Sequence, residues 1–386
     1  MSRRRVVITG VGVMAPGGIG TKNFWQLISE GKTATRPIAS FDASNFRSRI
    51  AAEIDFEPSE HGLSSREIRR MDRAAQLAVV ATREAMADSG IELDKHDPYR
   101  VGVSVGTAVG ATMSLEEEYQ VVSDSGRLEL VDHDYAVPHL YDYLVPSSFA
   151  AEVAWSVHAQ GPTTVISTGC TSGLDSVGHA VDLLREGSAD VMIAGACEAP
   201  LSPITLACFD AIKATTPRND DPEHASRPFD NTRNGFVLGE GAAMFVLEEL
   251  TSAQRRGAKI YAEVGGFGSR CNAFHMTGLR PDGAEMAAAI GVALDEAGTD
   301  ASDIDYINAH GTSTAMNDKF ETDAIKGVFG EGAHAVAISS TKSMTGHALG
   351  AAGGLESVAV IKALKEGVLP PTINLDNPEH ETAIDL

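Results

Sequence analysis

The stretch TVISTGCTSGLDS, residues 164–176, passes from a β-branched run through a lone cysteine into a helical pattern. TTVIST reads as a strand, and Leu174, Val177, Ala180, Val181 and Leu184 recur at the spacing of one helix face, with Thr171 or Ser172 at the N-cap. Cys170 is thereby expected at a helix start, where free N–H groups and the positive end of the helix dipole gather. Such a place predicts a depressed thiol pKa and a cradle for a developing oxyanion.

Outward from this turn the same alternation repeats. RVVITGVGV, YRVGVSVG, TTVIST, ADVMIAGAC and AAMFVLEE in the first part, and KIYAEVGGFG, DIDYINA and AVAISS in the second, are separated by helical patterns. Continuous apolar strands between helices predict an α/β chain with mostly parallel, mixed sheets covered on both faces. One unit occurs twice. A helix ending REAMADSG (83–90) precedes RVGVSVGT, and a helix ending GVALDEAG (291–298) precedes DYINAHGT. Further on, VIST and a helix ending LLREG (183–187) match AISS and a helix ending ALKEG (363–367). Two matches in one order predict a duplication with a period of about 200 residues, far beyond a solenoid's. The expected halves are residues 1–250, carrying Cys170, and residues 251–386. Five strands in the first half against three in the second predict two more beyond Leu386, after the irregular tail LPPTINLDNPEHETAIDL.

Composition narrows the function. The 386 residues, 43% hydrophobic and 22% charged, suffice for a large core. A net charge of −22 repels nucleic acid and anionic membranes, so neither is an expected partner. The local exception is SSREIRRMDR, with Arg66, Arg69, Arg70 and Arg73, which reads either as a solvated helix face or as a docking point for an acidic partner. Four cysteines without a CxxC spacing argue against zinc and against a disulfide framework, and for a reducing compartment. The N-terminal MSRRRVVITGVGVMAPGG imitates a signal peptide, yet Gly10 and Gly12 interrupt it and no A-x-A site follows, so the expected location is cytoplasmic.

A thiolate nucleophile needs partners, and the second half offers them at strand ends, where parallel sheets collect functional groups. His310 follows DYINA in HGTST, and Lys342 and His347 follow AVAISS in STKSMTGHALGAAGG. By the duplication, the loop of Lys342 and His347 corresponds to the loop of Cys170. Two imidazoles beside an acylated thiol suit hydrogen-bond donation to an enolate such as decarboxylation of a malonyl group creates. Cys197, Cys208 and Cys271 read instead as small buried hydrophobes, and His61, His96 and His334 as structural. Three motifs are decoys: GVGVMA (10–15) for a dinucleotide fingerprint, GVSVG (102–106) for a nucleophile elbow and SSTK (339–342) for S-x-x-K.

With these residues in hand, the chain resembles the β-ketoacyl synthases of the condensing-enzyme, or thiolase-like, superfamily. RVVITGVGVMAPGG, STGCTSGLDSVGHA, ASRPFDNTRNGFVLGEGAAMFVLEE, NAHGTSTAMND and SSTKSMTGHALGAAGG carry the likeness over nearly the whole chain. TGCTSGLDSVG, ACFDAIKATTPRNDDPEHASRPFD and CNAFHMTGLRPDG look most like the ketosynthase alpha subunit of bacterial type II polyketide synthases, whereas HGTST and GHALGAAGG look closer to fatty-acid elongation synthases. The resemblance implies duplicated α/β/α/β/α layers, and decarboxylative Claisen condensation of an acyl chain with malonyl-carrier protein. It implies Cys170 as acyl acceptor, His310 and His347 as the decarboxylation pair, Lys342 as the charge that orders them, and Glu321 as that lysine's partner. It also implies no metal and no cofactor, the substrates riding on the phosphopantetheine of an acyl carrier protein. Arg66, Arg69 and Arg70 fall where family members dock this acidic carrier, with Lys213 a second candidate. A chain-length-factor (beta) subunit is the implied partner in a heterodimer, with a homodimer as the alternative. Those beta subunits lack the active cysteine, so Cys170 argues against a silent, tunnel-shaping role for this chain. Asn234 stands where the family usually has aspartate, and the family's terminal glycine-rich loop is not found.

Overall fold

The computed structural model describes residues 4–127 and 132–378. Strands β1 (Val6–Ala15), β2 (Gly18–Ile19), β5 (Val101–Gly106), β6 (Thr163–Ile166), β7 (Val191–Glu198), β9 (Gly241–Glu249) and β10 (Ala262–Glu263) form one sheet. Its order is β10-β1-β9-β7-β5-β6, with β2 beside β1. Strands β3 (Thr35–Pro37), β4 (Ile50–Ala52) and β8 (Leu238–Gly239) form a small sheet, and β11 (Tyr306–Asn308) and β12 (Ala337–Ser339) pair in parallel.

The long apolar runs become strands buried on both faces. Along β9, Ala242, Met244 and Val246 enter one core while Ala243, Phe245 and Leu247 enter the other. Val191 and Ile193 on β7 likewise oppose Met192 and Ala194. Side chains alternate across a strand, so a strand covered twice needs apolar residues at every position. Each large side chain such as Phe245, fully buried, contributes about 1.5–3 kcal/mol relative to exposure.

Helices α3 (Arg73–Ser89) and α6 (Ser147–Val157) cover one face, and α1 (Thr21–Ser29), α7 (Ser172–Glu186) and α13 (Ala352–Glu366) the other. Helix α13 also reaches β11, beyond which lie α10 (Ala284–Ala297) and α11 (Ala315–Phe329), so helix and sheet layers alternate as α/β/α/β/α. The remaining helices are α2 (Ser65–Arg70), α4 (Thr112–Val122), α5 (Leu140–Leu144), α8 (Pro203–Ala211), α9 (Leu250–Arg255) and α12 (Lys342–Thr345).

The duplication is visible in matching joints. Helix α3 ends at Gly90 (φ 61) and α10 at Gly298 (φ 62), each followed by a 3-10 turn and a strand. Helices α7 and α13 both span 15 residues and end at Gly187 and Gly367 in the left-handed region, where glycine closes a helix without strain. A Cβ on Gly12 would stand 1.9 Å from the Ala81 carbonyl oxygen of α3. In the second half a Cβ on Gly266 would stand 2.1 Å from the Ala293 oxygen of α10. The glycines of GVGVMA therefore admit a helix against a strand, and that motif lies within β1 rather than at a phosphate-binding turn.

Several expectations are refined. The large sheet is mixed, and its parallel pairings are confined to β7-β5-β6, whereas β10-β1-β9-β7 is antiparallel because β1 and β9 run opposite to their neighbours. KIYAEVGGFG yields the two-residue β10, which joins the first sheet, leaving β11 and β12 as the second half's own described pair. Leu174 is 45% exposed rather than buried, lying beside Gly353 of α13, while Ala180, Val181 and Leu184 carry the buried stripe. Ser104 of GVSVG is a buried strand residue. Cys197 is buried as expected, but Cys208 and Cys271 are exposed and fill no core. The tail is irregular through Pro378, and its last stretch, 379–386, lies outside the described residues.

Candidate active site

Cys170 sits on the 3-10 turn Gly169–Thr171 that joins β6 to α7. Gly169 at φ 72 makes the turn, and the Ser172 hydroxyl locks it by donating to the Gly169 carbonyl (2.6 Å) and accepting from the Thr168 N–H (3.0 Å). Thr171 occupies the N-cap position without a side-chain cap bond. The half-buried cysteine packs among Leu201, Phe236, Leu238 and Leu349.

The two histidines arrive from the second half. His310 follows β11, and its N–H and that of Gly311 donate to the two carboxylate oxygens of Glu321 on α11, at 2.6 and 2.8 Å. His347 follows α12 and is stitched to β8: its N–H donates to the Val237 carbonyl (2.7 Å) and its carbonyl accepts from the Gly239 N–H (2.9 Å). Its Nδ1 accepts from the Leu349 N–H at 3.2 Å, so the ring proton belongs on Nε2. The imidazoles meet edge to face, centroids 5.1 Å apart at 86°, and Phe236 backs His347 at 5.2 Å. Cys170 Sγ and one ring nitrogen of each histidine all lie within 4.8 Å of one another. That is close enough for one acyl group to meet all three.

The electrostatics correct one expectation. Burial pushes the Cys170 thiol up to about 11, Lys342 opposing and Glu198 and Glu356 reinforcing the rise. The resting group is a thiol, not the thiolate that the helix start predicted, because desolvation outweighs the favourable charge. Burial, then the Lys342 charge, hold both histidines well below the ordinary imidazole range. A neutral imidazole still carries one N–H, on Nε2 in His347, and so can donate a hydrogen bond without first gaining a proton.

Lys342 is buried and ion-paired with Glu356 of α13. Glu321 is not its salt-bridge partner. Its carboxylate is spent on the His310 loop, although the Lys342 charge reaches it. The residues missed in the sequence are carboxylates. Glu356 was legible only as one more polar residue of α13. Asp318 accepts from the N–H groups of Thr312 and Phe229, at 2.9 Å each, and burial raises it to about 6. Glu198 accepts from loops on both sides of Cys170, and burial raises it to about 7. A carboxylate beside an apolar run was the available signal, since its burial requires hydrogen-bond donors or a paired cation.

The Cys-His-His donor set matches zinc chemistry in ligand type. The buried Lys342 cation already holds the positive charge there and opposes a divalent ion, so the set reads as a nucleophile with two donors. Asn234 accepts from the Thr216 hydroxyl at 2.6 Å. Of the basic candidates, Arg66, Arg69 and Lys213 are exposed. Arg70 is engaged: its guanidinium donates to both Glu152 oxygens, at 2.6 and 2.5 Å, and lies over the Trp155 ring. Arg73 is paired with Glu240 at 2.8 Å. No helix among the described residues is long and apolar enough to cross a membrane.

The chain is similar to known proteins over nearly its whole length. Residues 3–253 match the family described as Beta-ketoacyl synthase, N-terminal domain, and residues 261–376 its C-terminal domain. The chain is 59% identical over 384 residues to the tetracenomycin polyketide synthase ketoacyl synthase alpha subunit of Streptomyces glaucescens, covering 100% of this chain and 90% of that one. It superposes with TM-score 0.92 and 38% identity on a structure of a type II PKS acyl-carrier protein in complex with its ketosynthase bound to the hexaketide, covering 100% of this chain and 92% of that one. The ishigamide ketosynthase/chain length factor matches with TM-score 0.90 and 34% identity over 100% and 92%. The chain belongs to the β-ketoacyl synthase family and has its thiolase-like fold.

Proposed function

We propose that this protein is a ketosynthase that elongates a carrier-bound polyketide chain by decarboxylative Claisen condensation with malonyl-carrier protein. The observation that carries this is the meeting of Cys170, His310 and His347, from opposite halves, within 4.8 Å. The Cys170 sulfur attacks the acyl thioester, its proton passing to the departing carrier thiol as the new thioester forms. The malonyl group then loses carbon dioxide, and the C–C bonding pair becomes an enolate whose oxygen the Nε2–H groups of His310 and His347 stabilise. The enolate carbon attacks the Cys170 thioester, forming the C–C bond and expelling the sulfur, which regains a proton. Lys342, balanced by Glu356, supplies fixed positive charge beside these steps. Glu321 holds the His310 loop through two backbone N–H groups.

The substrates ride on the phosphopantetheine of an acyl carrier protein and the chain brings no cofactor of its own. Arg66, Arg69 and Lys213 are the docking cations for that acidic carrier, exposure and charge supporting the assignment. The edge strand β6, half-exposed, supports pairing with a second chain, a chain-length-factor subunit as in the ishigamide assembly or else a second copy. The location is the cytoplasm. The test is intact mass of the protein after exposure to acyl-carrier and then malonyl-carrier. An acyl adduct on Cys170 that is discharged to an extended product is expected, and elongation retained by Cys170→Ala would refute the assignment. Offering polyketide and fatty-acid carriers in parallel separates the two product classes.

A further inference from the structure

Glu198, at the end of β7, is fully buried among neutral donors. Its Oε2 accepts from the N–H groups of Ala108 (2.6 Å) and Gly350 (2.9 Å), and its Oε1 from the Thr107 hydroxyl (2.9 Å) and the Val109 N–H (3.2 Å). One carboxylate thus ties the loop after β5 to the loop after His347. Leu349, between His347 and Gly350, has φ 43, a left-handed conformation that a leucine holds only when its surroundings impose it. It is the Leu349 N–H that donates to Nδ1 of His347 at 3.2 Å. Gly350 is required by the same contact, since a Cβ there would stand 2.6 Å from Glu198 Oε2 and 2.5 Å from the Ala108 nitrogen.

We propose that Glu198 is a positioning residue that sets the tautomer of His347: by holding the Gly350 N–H it keeps Leu349 left-handed, which aims the Leu349 N–H at Nδ1 and leaves the ring proton on Nε2. The inference rests on the reading of His347 as an enolate donor and adds what makes it one. A histidine whose Nδ1 lost its donor would populate the other tautomer and offer a lone pair where a proton is required.

The experiment is long-range 1H–15N correlation on the full chain labelled with 15N-histidine, the His347 signals being identified by their loss in His347→Asn. The native ring is expected as the Nε2–H tautomer. In Glu198→Gln, whose amide group presents N–H to backbone N–H, the Nδ1–H form is expected to appear, with malonyl-carrier decarboxylation falling on the order of 10- to 100-fold. Gly350→Ala keeps Glu198 but displaces the strap, and is expected to do the same if Glu198→Gln does not fold. Adding Leu349→Gly to Glu198→Gln is expected to restore part of the rate, because glycine adopts this conformation freely. An unchanged tautomer in either folded variant overturns the proposal. Because the tautomer is read without substrate, it judges the strap separately from the donor role, which falls if His347→Ala leaves decarboxylation intact.

Discussion

Two connections built on one plan differ in length and in surroundings. Residues 167–171 carry β6 into α7, and most of them are exposed, whereas residues 340–351 carry β12 into α13 and every one is buried. The longer connection makes room for the short helix with Lys342 and for His347. The nucleophile must meet a chain brought from outside and give it up again, so it belongs on the open turn. Groups that stabilise developing charge act most strongly where water is excluded, so they belong inside. The cost is a buried lysine, which Glu356 offsets.

The contrast can be broken most severely at the sulfur. Cys170→Ala is expected to lower condensation at least about 10^3-fold, with no acyl adduct by intact mass and an unchanged melting temperature. On the buried side, His310→Ala and His347→Ala are expected to slow carbon dioxide release from malonyl-carrier about 10^2- to 10^3-fold while Cys170 still accepts an acyl group. Parallel loss of acylation would mean that the two connections do not divide the work. Lys342→Ala strands Glu356 in the interior and is expected to cost about 3–5 kcal/mol in denaturant unfolding, most of it recovered by replacing both partners with apolar residues. The Cys170 proton sharpens the comparison further. With the thiol raised to about 11, the reactive thiolate is scarce at neutrality and grows with pH. Alkylation of Cys170, followed by peptide mass, is expected to rise about tenfold per pH unit from about 7 to 10, and a plateau below about 8.5 would restore a resting thiolate. The smallest effect is expected at the surface: Arg66→Glu and Arg69→Glu should each raise the KM for acyl-carrier about 3- to 10-fold, more at low salt. Arg70→Ala should instead lower stability, by freeing Glu152.

Much of this was legible beforehand. Cys170 and His310 stand just past strand ends beside glycines, and a strand followed by a helix places such residues at one edge of a sheet whatever the rest of the chain does, whereas His347 lies beyond the short helix α12. The repeated joints at Gly90 and Gly298, and at Gly187 and Gly367, were readable because a helix end is a local event. Leu174 misled because it fits the helical period, yet it faces α13 at a partly open edge. The three runs of the second half all form strands, but KIYAEVGGFG does so, among the described residues, only through Ala262 and Glu263, which join β1 of the first sheet.

Local period, turn residues and helix ends were written in the sequence by itself, since each depends on neighbours a few positions away. Tertiary structure alone decided which carboxylate faces Lys342, that Arg70 is bound to Glu152, and that Cys170 keeps its proton. Each of these depends on separations between groups 14 to 172 residues apart along the chain, such as Lys342 and Glu356, Arg70 and Glu152, or Cys170 and Lys342. Charge and desolvation act through space, and the chain order does not record those distances.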